Sequence, residues 1–129
     1  MDQGKLNDIL ESHGEWLMGE KREKANLREA DLYGADLRGA DLYGAHLSEK
    51  IIQVGPIGSR RDYTIYWVDR DIVKYGCWND CKGGSLEEFK KRVDKIYPAE
   101  NKDTLQFRNE YLAAIAMFER LRDDARQLV

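Results

Sequence analysis

The chain has 129 residues, of which 42% are hydrophobic and 35% charged, enough apolar material for one core beneath a well-solvated surface. No apolar run approaches the ~20 residues that span a bilayer and no secretory leader is visible, so a cytoplasmic protein without membrane contact is expected. The net charge of −3 is mild but uneven: residues 1–24 hold six acids and four bases, residues 25–49 five and two, residues 50–129 thirteen and fifteen.

Residues 6–17 carry Leu6, Ile9, Leu10, His13 and Leu17 at helical spacing, with Trp16 beside the stripe. Gly14 weakens the middle, and Gly19 is the expected stop. The polar tract 20–24 (EKREK) then leads into the repeat. Leu10, Trp16 and Leu17 are expected to lie over the repeat's open end. His13 is read as a packing histidine with a local hydrogen bond, since no acid–nucleophile pattern surrounds it.

Residues 25–49 are five tandem pentapeptides: ANLRE, ADLYG, ADLRG, ADLYG and AHLSE. Alanine opens each unit and leucine takes each third place. Five fits neither standard period. On an α-helix each step of five turns a side chain by about 140°, and on a flat strand an odd step reverses the face. A chain that turns a corner once per unit keeps every leucine inside. Gly34, Gly39 and Gly44 fall where a corner needs a permissive backbone, and Asp31, Asp36 and Asp41 where a short acceptor ties down turn amides.

This pattern resembles the pentapeptide-repeat proteins. The resemblance implies a right-handed, four-sided β-helix with four pentapeptides per coil, which would stack Leu27 under Leu47 and Asn26 under His46. Several members of that family are acidic rods that imitate duplex DNA and inhibit topoisomerases. Five units make little more than one coil, so flanking segments must close both ends. The helical lead-in also looks like that preceding many phage and bacterial pentapeptide repeats.

Beyond the repeat the pattern changes. Residues 51–57 (IIQVGPI), 63–68 (YTIYWV) and 72–78 (IVKYGCW) read as strands separated by the turns 58–62 and 69–71. Short connections predict an antiparallel meander. Ser85-Leu86-Glu87-Glu88 is a capping box, starting a helix with the face Leu86, Phe89, Val93 and Ile96, which stops at Tyr97-Pro98. A last helix is expected from about Asp103-Thr104 towards Leu128. The pieces IIQVGPIGSRRDYTIYW, YGCW, SLEEF and YLAAIAMF resemble a module, with no established activity, of phage and prophage pentapeptide proteins. That resemblance implies a phage or prophage origin and a bacterial host cell. Phage genes of this size commonly encode inhibitors of host defence.

The chemistry-bearing residues are few. Cys77 and Cys81 are spaced C-x3-C, and the two histidines, His13 and His46, lie in distant segments, so no metal, cofactor or redox role is expected. No Gly-x-Ser-x-Gly, phosphate loop or HExxH is present, so no catalytic residue is assigned and no enzyme is expected. Arg60 and Arg61 share a predicted hairpin tip. They read either as an anion contact on a partner or nucleic acid, or as structural partners of Asp62 or the repeat aspartates. Alternation puts Tyr63, Ile65 and Trp67 on one strand face and Tyr66 and Val68 on the other. One helix layer covers only one face, leaving the second to the β-helix, a second copy in a homodimer, or a partner. Tyr66 and Trp78 are the anchors expected at such a surface. Glu29, Asp31, Asp36, Asp41 and Glu49 face outward by the repeat geometry, beside Tyr33 and Tyr43. They form either an acidic wall that mimics phosphates or simply repeat-forming residues.

The expected fold is α+β: a capping helix (1–24), a short pentapeptide-repeat β-helix (25–49), and a three-stranded antiparallel meander with two helices (50–129), together one compact unit. The expected function is a non-enzymatic phage or prophage inhibitor binding a host nucleic-acid-handling defence complex, such as a CRISPR effector, by acidic DNA mimicry. The alternatives are a scaffold or oligomerisation module without mimicry, and a gyrase-binding pentapeptide protein. Direct nucleic-acid binding through Arg60 and Arg61 is disfavoured by the acidic ladder.

Overall fold

The computed structural model describes residues 2–20, 24–27, 32, 37, 40–47, 49–59 and 61–127. They belong to two compact units, Met1–Lys50 and Ile51–Val129.

In the first unit, helix α1 spans Gln3–Leu17. Asp2 caps it, its carboxylate accepting from the Lys5 backbone N–H at 2.7 Å. Gly19 ends it as expected, at φ +81°. The Gly19 N–H donates to Trp16 O at 2.9 Å and the Glu20 N–H to Glu15 O at 2.8 Å, the double closure that a left-handed residue permits.

Helix α1 does not bury the whole of its expected stripe. Leu6 and His13 are the buried residues, while Leu10, Trp16 and Leu17 are only partly covered. Leu6 and His13 stand seven residues apart, about two turns, so they share one line of the helix. Nor are His13's bonds local. Its Nδ1 accepts from the Ala25 backbone N–H at 3.1 Å, and its Nε2 lies 2.8 Å from Tyr43 O. Because Nδ1 is an acceptor, the neutral ring carries its proton on Nε2 and donates there. Trp16 stacks on the imidazole with ring centroids 5.3 Å apart.

Strands β1 (Asn26–Leu27) and β2 (His46–Leu47) pair in parallel, with Asn26 opposite His46 and Leu27 opposite Leu47. Positions 46 and 26 differ by twenty residues, four pentapeptides, the register the resemblance implied. Leu27, Leu32, Leu37 and Leu42 are buried and Leu47 is half-buried. The period of five does keep its leucines inside.

In the second unit, β3 (Ile51–Ile57), β4 (Asp62–Trp67) and β5 (Ile72–Tyr75) form an antiparallel sheet in the order β3-β4-β5. The register between β3 and β4 shifts between Val54 and Ile57, where Gly55 and Pro56 interrupt the ladder. Strand β5 ends at Tyr75, three residues before the expected Trp78, because Gly76 takes φ +50°.

Helix α2 (Leu86–Ile96) starts at the predicted box: Ser85 Oγ accepts from Glu88 N–H, and Glu88 Oε1 accepts from Ser85 N–H, both at 3.2 Å. It ends at Tyr97, ahead of Pro98. A short 3-10 turn (Lys102–Thr104) leads into helix α3 (Leu105–Gln127). Tyr66, Val68 and Val73 from the sheet, Leu86, Phe89 and Val93 from α2, and Tyr111, Ile115 and Phe118 from α3 make one core. Each such side chain contributes about 1.5–3 kcal/mol by leaving water.

Asp71 ties sheet to helix. Its carboxylate accepts from the Tyr66 hydroxyl at 2.7 Å and from the Leu86 backbone N–H at 3.3 Å, at the start of α2. Burial, then the Asp71 hydrogen bond, push the Tyr66 phenol well above its ordinary value. Burial, then the neighbouring Tyr97 and Tyr75, do the same to Tyr111. Unfolded tyrosines ionise near pH 10, where both native groups still hold their protons. The native state then binds more protons than the unfolded one, so stability falls as pH rises above about 10. The slope is up to about 1.4 kcal/mol per pH unit for each tyrosine. Denaturant titrations from pH 8 to 11 check this, and Tyr66→Phe is expected to flatten the decline.

Candidate functional site

Each unit carries exposed polar side chains among those singled out from the sequence. In the first, Asp41 is exposed and its Oδ1 accepts from the Tyr43 backbone N–H at 2.9 Å. This two-residue reach ties the corner amide down, as read from the repeat. Gly44 follows at φ +79°, where an added Cβ would strike the Trp16 ring. Tyr43 itself is 75% exposed. Glu49 is partly covered. Glu29, Asp31 and Asp36, and with them most of the predicted acidic wall, lie outside the described residues.

In the second unit the turn after β3 holds Arg61, exposed at φ +49° and without an ion pair among the described residues. Asp62 Oδ1, beside it, accepts from the Tyr63 backbone N–H at 2.7 Å. Arg60 lies outside the described residues.

The two predicted aromatic anchors part company. Tyr66 is wholly buried, stacked on Phe118 at 4.9 Å, so it is a core residue and has no surface to offer a partner. Ile65 and Trp67, on the face opposite Tyr66, are buried too. Among the described residues the Trp67 Nε1 has no hydrogen-bond partner. Trp78 remains partly exposed, its ring tilted against Tyr75 and Phe89, each 5.7 Å away.

Trp78 belongs to a loop whose ends are clamped together. Val73 N–H donates to Gly84 O at 2.7 Å and Gly84 N–H donates back to Val73 O at 3.1 Å. Between them Asn79, Asp80 and Cys81 all take left-handed backbone angles, φ +56°, +54° and +65°. Such residues cost about 1–3 kcal/mol each and persist only where neighbours hold them. Here the Asn79 amide donates to Gly83 O at 2.8 Å, Lys82 N–H to Asn79 O and Cys81 N–H to Cys77 O.

This loop overhangs a cleft of about 520 Å³, whose other walls include Ser59, Arg92 and Tyr97. Sequence reasoning missed those three, since Ser59 read as a turn residue and Tyr97 as a helix stop, while Arg92 carried no local signal. Only the strand signal at Tyr75 and the loop signal after Trp78 pointed to the place. Among the described residues no three His, Cys, Asp or Glu side chains gather as a metal site, and no helix is long and apolar enough to cross a membrane.

The parallel pairing of β1 with β2 at twenty residues, with the third residue of each unit turned inward, has a matching family signature. The family model described as pentapeptide repeats (8 copies) matches residues 23–49. Residues 23–49 are pentapeptide repeats. The pentapeptide repeats begin just before Ala25 and end at Glu49, so the family match stops short of the sheet, α2, α3 and the cleft. No curated protein and no solved structure matches the chain at a significant level.

Proposed function

We propose that this chain is a non-enzymatic binding protein of phage or prophage origin that inhibits a host nucleic-acid-handling complex in the bacterial cytoplasm. In this reading residues 25–49 wind as a short right-handed, four-sided β-helix, and its walls carry the carboxylates that meet a basic nucleic-acid channel. The observation that carries it is the division of labour within the repeat: leucines buried at 27, 32, 37 and 42, while Asp41 and Tyr43 stay at the surface. A carboxylate held on a rigid frame loses little freedom on binding, and attraction to a basic surface speeds docking.

A second reading, a scaffold module without mimicry, is favoured by the bond from Tyr43 N–H to Asp41 Oδ1, which employs the carboxylate inside its own turn. Asparagine separates the two, because its side-chain oxygen still accepts that bond while the charge is gone. The triple variant Asp31→Asn, Asp36→Asn and Asp41→Asn is expected to fold as the parent does. It is also expected to lose at least tenfold in affinity for the complex captured from a bacterial lysate. Capture of the parent should weaken steeply between low and physiological salt. Capture indifferent to both changes establishes the scaffold and ends the mimicry proposal.

A further inference from the structure

We propose that the cleft between the 76–84 loop and α2 binds a nucleoside monophosphate, a site independent of the acidic repeat. The cation comes from α2. Arg92 Nε donates to the Tyr75 hydroxyl at 3.1 Å, and Arg92 makes no ion pair among the described residues. Its neighbour on the helix, Asp94, is already matched by Arg108 at 2.9 Å. Tying Nε fixes the guanidinium plane and leaves the terminal nitrogens as a forked donor, which suits the oxygens of a phosphate.

Around this cation stand groups that suit the remainder of a nucleotide. Trp78 offers a partly exposed indole whose orientation is set by Tyr75 and Phe89. A base can stack on such a ring whatever its identity. On the cleft wall the Ser59 and Tyr97 hydroxyls are hydrogen-bonded to each other at 3.0 Å, a pair still able to give or take one further hydrogen bond. Asp80, exposed on the loop, repels a second anion at the cleft mouth but accepts from sugar hydroxyls. The volume, about 520 Å³, is within the range of small-ligand sites. The left-handed run Asn79-Asp80-Cys81 fits the same reading, because strain held by surrounding bonds is a common cost of presenting a binding loop in one conformation.

The test is calorimetric titration of the full chain with adenosine monophosphate, adenosine, inorganic phosphate and phenylalanine. Adenosine monophosphate is expected to bind in the sub-millimolar range, with adenosine and inorganic phosphate each at least tenfold weaker. Arg92→Gln, a partly exposed change whose folding is checked by circular dichroism, is expected to weaken the nucleotide tenfold or more. Asp80→Ala lies on the exposed loop and is expected to weaken it several-fold. The proposal is overturned by absent nucleotide binding at millimolar concentration, by unchanged affinity in folded Arg92→Gln, or by phenylalanine binding more tightly than the nucleotide.

Discussion

Gly58→Ala is expected to destabilise the unit formed by residues 51–129 by roughly 2–5 kcal/mol, the sum of two separate penalties. Gly58 sits at φ +78°, where a side chain costs about 1–2 kcal/mol. Its new methyl group would also land on the hydroxyl and ring of Tyr111, a residue buried in the core of α3, sheet and α2. Moving that ring is an overpacking change worth about 1–3 kcal/mol. The turn cannot simply swing away, because the Gly58 N–H donates to Glu110 Oε1 at 3.0 Å, one residue before Tyr111. Thermal unfolding should therefore fall by roughly 10 °C or more. Adding Tyr111→Phe removes the atom nearest the methyl, so the double variant should be more stable than the two single losses add up to. A Gly58→Ala protein that melts within a degree of its parent would show that this close approach does not exist.

The second large effect is expected at His13. Substituting Phe keeps a flat ring against Trp16 but leaves the Ala25 N–H and the Tyr43 C=O without their partner. The Ala25 N–H bond is buried and an unsatisfied buried group costs about 1–3 kcal/mol, while the part-buried Tyr43 C=O can turn to water, so the loss should reach roughly 1–3 kcal/mol. Gln presents one acceptor and one donor, and should recover part of it. Since the bonds join α1 to the first and fourth pentapeptides, hydrogen exchange in residues 24–47 is the sensitive readout. Faster exchange there in His13→Phe, with residues 51–127 unchanged, is the expected outcome. Equal protection in both proteins would rule out the histidine as the fastener.

These two sites were read unequally well from the chain. Gly58 was placed in a turn by local composition, yet nothing local announced that Tyr111, more than fifty residues on, would fill the space a side chain needs. His13 was placed on the apolar stripe correctly. Its partners were not, because helical periodicity ranks faces by hydrophobicity and carries no information about which backbone groups elsewhere will lack a donor or acceptor. The same logic explains Tyr66. Alternation assigned it a face, while its full burial and its bond to Asp71 depended on how α3 and the start of α2 close over the sheet.

Local chemistry was sufficient for whatever acts over a few residues. The five-residue period, which no straight helix or strand accommodates, placed the leucines inside, and the family resemblance it carries implied the pairing of Asn26 with His46 and of Leu27 with Leu47. The serine–glutamate box settled where α2 begins, Gly19 where α1 ends, and the spacing of β-branched runs the order of the meander. Folding in three dimensions decided the rest. It buried both faces of β4, cut β5 short at Gly76, and brought Arg92 from a helix against Tyr75 at a strand end. Periodicity reports how a segment meets water, whereas a cleft needs side chains from remote segments to converge, and that convergence exists only once the core has set their distances.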